Sequence, residues 1–382
     1  MRAAVVATLA TSVLAARPYI NEPDTGIDEV LSNITAGQLA PLNAMVGLPD
    51  FEWAARKYLP AMNYTYYQNG AAGEWSRRNN LEAFHRYTWR PRQMIDVTGI
   101  PETLPTTILG HNFSAPIFIS PCARGAYGHP DAELNLVKGA GAGDILYIAS
   151  DFSNAPVAEI MAAKAAGQVV FQQIYLSGNI TRDGAHLQEV ERAGADAHVI
   201  TIDSAASSIR HRAERYGVAS ANTALTRLDW NYWNQLKNFT TIPMAAKGAT
   251  SVETIKAAVE HGVPAIVISN HGGRNLDGSP GPLEVMLELH EQAPELLDQI
   301  EIWADGGVRY GGDVLKLLSL GVKAVGVGRP YMFANIFGTA GIEKVTQILK
   351  KEITVDAGNL GVPGLDALDS TYVNWKSNNY LG

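Results

Sequence analysis

Ser269-Asn270-His271-Gly272-Gly273-Arg274 places a titratable base three residues before a guanidinium, with two glycines between them. An imidazole takes up or releases a proton near neutral pH, and a guanidinium holds a carboxylate through two parallel donors. The segment therefore suits proton abstraction from a molecule that carries a carboxylate. Two further segments set glycine turns beside arginines, Asp305-Gly306-Gly307-Val308-Arg309 and Gly326-Val327-Gly328-Arg329-Pro330. Glycine lets backbone N–H groups approach phosphate oxygens, arginine adds forked donors, and a helix beginning near Gly312 would point its positive end the same way. One Gly-Gly turn after a strand is an ordinary tight loop, whereas two such turns, each with an arginine, favour a phosphate site.

For these segments to act together the fold must bring them to one rim. From about residue 115 onward, short apolar runs alternate with longer stretches of helical period such as 156–166 and 252–261. The runs begin at Ile117, Ile145, Val169, His198, Pro243, Ala265, Glu301 and Ala324. Nearly continuous hydrophobicity means strands covered on both faces, and eight strands separated by helices fit a closed (β/α)₈ TIM barrel with an N-terminal helical extension. A doubly wound open sheet is the alternative architecture. The expected division is a signal peptide over 1–16, a linker over 17–46 and the barrel domain over 47–382, in which 47–114 are helices across the bottom or side. In a barrel the chemistry sits at the C-terminal strand ends, where Gln172, Gln173, Thr201, Asp203, Lys247, Ser269, Asn270, His271, Asp305 and Arg329 gather. So many convergent charged groups would be costly unless paired or occupied by a ligand.

Composition excludes several other classes. The chain has 382 residues, 46% of them hydrophobic and 18% charged, enough to bury a large core and incompatible with disorder as its main character. Its 38 acidic and 30 basic residues give a net charge of −8 with no basic cluster, which argues against a nucleic-acid partner and for a small molecule. The single cysteine, Cys122, rules out an intrachain disulfide framework and a cysteine-based zinc site, and no metal site is expected. No stretch reaches the roughly 20 apolar residues that a membrane span requires.

The chain resembles the FMN-dependent 2-hydroxy-acid oxidases and dehydrogenases, the family of glycolate oxidase and lactate oxidase. The match covers about residues 48–350 and includes Tyr66-Tyr67-Gln68-Asn69-Gly70-Ala71, Trp89-Arg90-Pro91-Arg92, Ala115-Pro116 to Pro121, Phe171 to Tyr175, Thr201-Ile202-Asp203, Lys247-Gly248, Ser269 to Asp277 and both glycine turns. The resemblance implies FMN as cofactor and oxidation of an (S)-2-hydroxy acid to the 2-oxo acid. It also implies His271 as the base, Asp203 against its far nitrogen and Lys247 beside the flavin. Arg274 and Arg210 would hold the substrate carboxylate, with Tyr66 and Tyr175 bonding to the substrate. Pro121, Cys122 and Ala123 would contact the flavin ring, Ser150, Gln173 and Thr201 its polar edge, and Ser269 the ribityl chain. Asp305, Gly307, Arg309, Gly328 and Arg329 would complete the ribityl and phosphate site. Blander roles exist for single members: Tyr66 and Tyr175 as core residues, Asp203 as a helix cap, Ser150 as a strand-end hydroxyl.

Three positions depart from that pattern. Arg124 stands where relatives carry methionine, alanine or glycine, and its charge would either meet a polar or carboxylate substituent of the substrate or pair with Asp151. The segment between strands 4 and 5 is short and polar over 212–230, which leaves a more open mouth unless Trp230, Tyr232 and Trp233 fold over the rim. Phe152 replaces an indole and enlarges the side-chain end of the pocket.

Oxygen is the simplest electron acceptor, with hydrogen peroxide as product, because neither a haem-binding domain nor a membrane segment is evident. A dehydrogenase with a diffusible acceptor and a tailoring oxidase for a larger acidic metabolite are alternatives. A flavin-binding protein without turnover and a phosphate-handling barrel without flavin are the competing classes. Relatives suggest a homo-oligomer, a tetramer. Arg2 followed by the Ala/Val/Leu-rich 3–16 reads as a secretory signal, and sequons at Asn33, Asn63, Asn112, Asn179 and Asn238 agree with a secreted glycoprotein. The terminus Asn379-Tyr380-Leu381-Gly382 lacks a peroxisomal address.

Overall fold

The computed structural model describes residues 25–218 and 225–375. The expected signal peptide and the C-terminal tetrapeptide lie outside them. The eight apolar runs form the strands β1 (Ile117–Ile119), β2 (Leu146–Ala149), β3 (Val170–Ile174), β4 (His198–Thr201), β5 (Met244–Ala249), β6 (Ala265–Ile268), β7 (Glu301–Asp305) and β8 (Ala324–Val327). They close into one parallel barrel in sequence order, with β8 pairing β1 through Phe118 and Gly326. This is the expected (β/α)₈ barrel, and it excludes the open sheet.

Residues that alternate inward along the strands fill the barrel. Phe118, Leu146, Ile148, Phe171, Val199, Val267 and Trp303 share one dry cluster. Phe171 stacks on Trp303 at 6.0 Å and Phe118 meets the same indole edge-on at 6.1 Å. The outward-facing strand residues pack against the helices in a second, larger core.

The segment before the barrel, expected as helices across the bottom or side, also contains strands. Part of it, Thr106–Ile108 with His111–Phe113, is an antiparallel hairpin whose Ile108 and Phe113 enter the interior cluster and plug the bottom. The helices Leu48–Tyr58, Ala61–Gln68 and Trp75–Arg86 lie at the side, beside the last units, against Arg329–Ala334 and Pro282–Gln292. Helical periodicity reports that one face is apolar but not which surface will cover it. The stretch read as a linker is also packed where it is described. Met45 and Ile34 are buried, and Trp53 Nε1 donates to Asp28 at 2.6 Å.

The connection from β4 to β5 does not fold its aromatics over the rim. In the helix Trp230–Leu236, Tyr232 donates to Asp183 at 2.6 Å and Trp230 stacks on His261 at 5.2 Å, on the outer helices. A parallel barrel requires the chain to return to the bottom before β5 begins, and these residues belong to the return. Part of the short polar segment 212–230, residues 219–224, is outside the described residues.

Candidate active site

At the C-terminal ends of the strands a cavity of about 820 Å³, counted with its open mouth, runs from β1 across to β6, β7 and β8. Its position is the one a barrel leaves for chemistry, because side chains there are held by strand ends while loops remain free to vary.

His271 follows β6 in the left-handed conformation, φ 59, which turns its ring into the cavity. Nδ1 lies 3.1 Å from Asp203 Oδ1, and Nε2 lies 3.1 Å from the Tyr175 hydroxyl. A carboxylate accepts, so Asp203 selects the tautomer with hydrogen on Nδ1 and leaves the Nε2 lone pair facing Tyr175 and the cavity. Burial keeps the Tyr175 phenol protonated by raising its pKa, so it donates to Nε2. Burial is also the largest influence on His271, and it depresses the imidazole pKa below the ordinary value although Asp203 pulls the other way. Asp203 itself is buried, which opposes its charge, but the neighbouring His271 and Lys247 hold its carboxyl below the usual range. The result is a neutral base whose protonated form has a counter-charge already in place.

Beside this chain stand two guanidiniums. Arg274 donates from Nη2 to the Tyr66 carbonyl at 2.6 Å and lies over the Tyr66 ring at 5.3 Å. Arg210 donates from Nε to the Arg274 carbonyl at 2.9 Å and to Ser208 at 2.7 Å. Burial, with the Arg274 charge added, pushes the Arg210 pKa down to about 9. Arg274 Nε is buried with no hydrogen-bond partner among the described residues. An anion between them would relieve both the repulsion and the unmet donor.

A second polar group lines the floor. Lys247 on β5 donates to Ser269 at 3.1 Å and lies 3.5 Å from Asp305, while Ser269 also donates to Asp305 and accepts from the His271 N–H. Gln173 on β3 donates to Thr201 at 2.8 Å and accepts from Ser150 at 3.3 Å, tying the ends of β2, β3 and β4. Pro121, Cys122 and Ala123 line the opposite wall after β1, and burial raises the Cys122 thiol pKa.

Both glycine turns reach the cavity. Gly307 and Gly328 line the cavity between β7 and β8 together with Arg309 and Arg329. Gly307 takes φ 87, and a Cβ there would stand 2.1 Å from the Asn80 carbonyl, so the backbone can lie this close only as glycine. The arginines are held differently from one another. Arg329 donates to the Tyr67, Gly272 and Asn69 carbonyls at 2.8, 2.9 and 2.9 Å, which ties the N-terminal helices to the rim. Arg309 donates to the Val308 carbonyl and lies 3.9 Å from Glu52. Burial, with Arg274, Arg77 and Arg309 nearby, drives the Arg329 pKa well below the ordinary value, a crowding of cations that an anion would offset.

Of the residues singled out from the sequence, Asp203, Gln173, Thr201 and Ser269 lie behind the cavity wall and act through its lining. Arg124 is exposed at the rim and does not pair with Asp151, whose carboxylate instead meets His186 at 2.8 Å. Sequence reasoning missed Ser120, buried on the floor with no hydroxyl partner among the described residues. It also missed Asn80, which exchanges two 2.7 Å hydrogen bonds with Asn270 and so locks a helix to the base-bearing loop. Asn275, which donates to the Asp203 carbonyl at 3.0 Å, is the third. Only Asn275 had a signal, its place four residues after His271.

The model of a family described as FMN-dependent dehydrogenase matches residues 55–226 and 218–375. The chain is 34% identical over 361 residues to an L-lactate dehydrogenase (cytochrome) from Wickerhamomyces anomalus, covering 88% of this chain and 63% of that protein. It thus spans less than two thirds of that relative's length. Against glycolate oxidase 3 from Oryza sativa subsp. indica it is 32% identical, covering 87% of this chain and 97% of that one. The recombinant flavin-binding domain of baker's yeast flavocytochrome b2 superposes with a TM-score of 0.82 at 32% identity, over 88% of each chain.

Proposed function

Because this chain belongs to the FMN-dependent dehydrogenase family, whose cofactor is FMN, we propose that it oxidises an (S)-2-hydroxy acid to the 2-oxo acid and passes the electrons to O₂, giving hydrogen peroxide. The observation that carries this reading is the Asp203–His271–Tyr175 chain opening beside Arg210 and Arg274, a base and a carboxylate clamp in one small volume. O₂ as acceptor is supported by the match over nearly the whole length of a protein named as an oxidase.

The residues present fit FMN. The unpartnered Ser120 hydroxyl, the glycine backbone at Gly307 and Gly328, and the crowded arginines each lack what a phosphorylated, hydrogen-bonding ligand provides. Gly307, Arg309, Gly328 and Arg329 would hold the phosphate end, with Asp305, backed by Ser269, on the ribityl chain. Pro121, Cys122 and Ala123 would lie on the ring, and Ser150, held by Gln173 and Thr201 behind it, along its edge. When bound, FMN accepts the two electrons of the C2–H bond.

Arg274 and Arg210 bind the substrate carboxylate bidentately and orient the hydroxyl toward His271. Nε2 of His271 takes the hydroxyl proton, and Asp203 stabilises the imidazolium so formed. Tyr175 hands its hydrogen bond from Nε2 to the substrate oxygen, while Tyr66 closes the carboxylate end. Lys247 fixes a positive charge at the floor, where negative charge would otherwise accumulate unbalanced. The test is an absorbance spectrum followed by anaerobic mixing with (S)-2-hydroxy acids and then air. Bands that bleach and return with peroxide support the reading; bound flavin that no 2-hydroxy acid bleaches overturns it. Bleaching that persists in air favours a dehydrogenase.

We further infer a secreted, homo-oligomeric glycoprotein. The Arg2-led apolar stretch supports the secretory route, and exposed sequons at Asn33, Asn112, Asn179 and Asn238 support glycosylation. Tetramers are what the family resemblance suggests, and sedimentation of the purified protein tests the assembly.

A further inference from the structure

We propose that the substrate carries a second anionic group, a carboxylate on the carbon chain beyond C2, and that Arg124 is the residue that binds it. The proposal deepens the reading of the site as a 2-hydroxy-acid centre and rests on it.

Arg124 stands one residue beyond Ala123, at the end of a run that lines the cavity. Its backbone is left-handed, φ 63 and ψ 45, a conformation that a side-chain-bearing residue keeps only when its surroundings hold it. The hold is visible. The Tyr67 hydroxyl donates to the Arg124 carbonyl at 2.6 Å, and the Tyr127 N–H donates to the same oxygen at 3.0 Å. The next residue, Gly125, donates to Glu133 at 2.7 Å, and a Cβ on it would stand 2.7 Å from the Ala132 backbone, so the loop cannot slide. The base of the side chain is therefore fixed while its guanidinium is exposed at the mouth.

That guanidinium has no carboxylate to meet. Glu133 accepts from the Gly125, Asn154 and Ala155 N–H groups, and Asp151 accepts from His186 and from the Tyr175 N–H at 3.0 Å. Among the described residues no hydrogen bond or ion pair reaches the Arg124 side chain. Its place beside the site is set by the chain, since Ala123, the residue before it, lines the cavity and Tyr67, which holds its carbonyl, follows the lining residue Tyr66. One substrate carboxylate is served by Arg274 and Arg210. A third cation, anchored at its backbone and unpaired, complements a second anion on the same molecule.

Equilibrium binding tests this without turnover. Succinate and butyrate match in chain length and differ in the second carboxylate, and each is titrated into the flavin-loaded protein while the flavin spectrum is followed. Wild type should bind succinate at least 10-fold more tightly than butyrate. Arg124→Met should remove roughly 10- to 100-fold of that preference, as expected for one charge-assisted contact, and Arg124→Lys should keep part of it. The kcat/KM ratio of (S)-2-hydroxysuccinate to (S)-2-hydroxybutyrate should fall in parallel. Equal affinity for the two acids in wild type, or an unchanged preference in Arg124→Met, overturns the proposal. If neither hydroxy acid is oxidised but the succinate preference depends on residue 124, the subsite stands and the oxidation reading falls. If the monocarboxylate is oxidised and succinate gains nothing, the subsite falls alone.

Discussion

Asp203 reaches the imidazole of His271 across the backbone of Gly248, at φ 119 in the bulge of β5, where a Cβ would stand 2.5 Å from the Asp203 Cγ. The position must be glycine for the carboxylate to stand where it does. Gly248→Ala should displace Asp203 and lower kcat by about 10- to 100-fold while the flavin content stays near that of wild type. Unchanged kcat would mean that the carboxylate adapts.

Asp203→Asn should cost more. It removes the charge that stabilises the imidazolium, and general-base contributions are typically about 10²- to 10⁴-fold. The sign of the pH effect follows from the same geometry. Burial already lowers the His271 pKa and Asp203 opposes it, so the wild-type acid limb of kcat/KM should lie below the ordinary histidine value of about 6.5. Losing Asp203 should move that limb lower still, and a rise would contradict the arrangement.

The arginine cluster predicts ligand-linked stability. Protein stripped of flavin should gain thermal stability from FMN and, more weakly, from inorganic phosphate, by about 2.7 kcal/mol at a ligand concentration 100 times Kd. Arg309→Met should lose most of the phosphate effect. Arg329→Lys should instead lower the melting temperature without any ligand, because a lysine cannot serve the Tyr67, Asn69 and Gly272 carbonyls together.

His198 at the start of β4 predicts an acid sensitivity unrelated to catalysis. Burial lowers its pKa to about 4, and its Nδ1 has no partner among the described residues. The unfolded chain takes up a proton near pH 6.5 that the folded one refuses until about 4. Stability is therefore fully present above 6.5 and declines as the pH falls toward 4, by at most about 3 kcal/mol. In His198→Gln the fall of the melting temperature over this range should be shallower, which differential scanning fluorimetry would show.

The secretory proposal makes its own demand on the surface. Asn63 donates its amide to the Tyr127 carbonyl at 3.0 Å, whereas Asn33, Asn112, Asn179 and Asn238 are exposed, Asn179 capping a helix through Oδ1 only. Protein from a eukaryotic secretory host should lose about four glycans on enzymatic deglycosylation, and its N-terminus should begin after residue 16. An unglycosylated product with an intact Met1 would contradict the route.

The barrel and the residue types at its candidate site were legible in the sequence, because both depend on local pattern. Eight apolar runs at a βα cadence leave few ways to cover both faces of each strand, and the segment around His271 and Arg274 carries its residue types side by side. What the tertiary structure decided was which long-range partner each polar group would take. Nothing local distinguishes Arg329, committed to three carbonyls, from Arg274, whose Nε is left unmet, or directs Asp151 to His186 rather than Arg124. Asn80 lies 190 positions from the Asn270 it pairs with. Hydrogen-bond geometry is sensitive to fractions of an ångström, and such distances between remote residues are set by the packing of whole elements rather than by the spacing of residues along the chain.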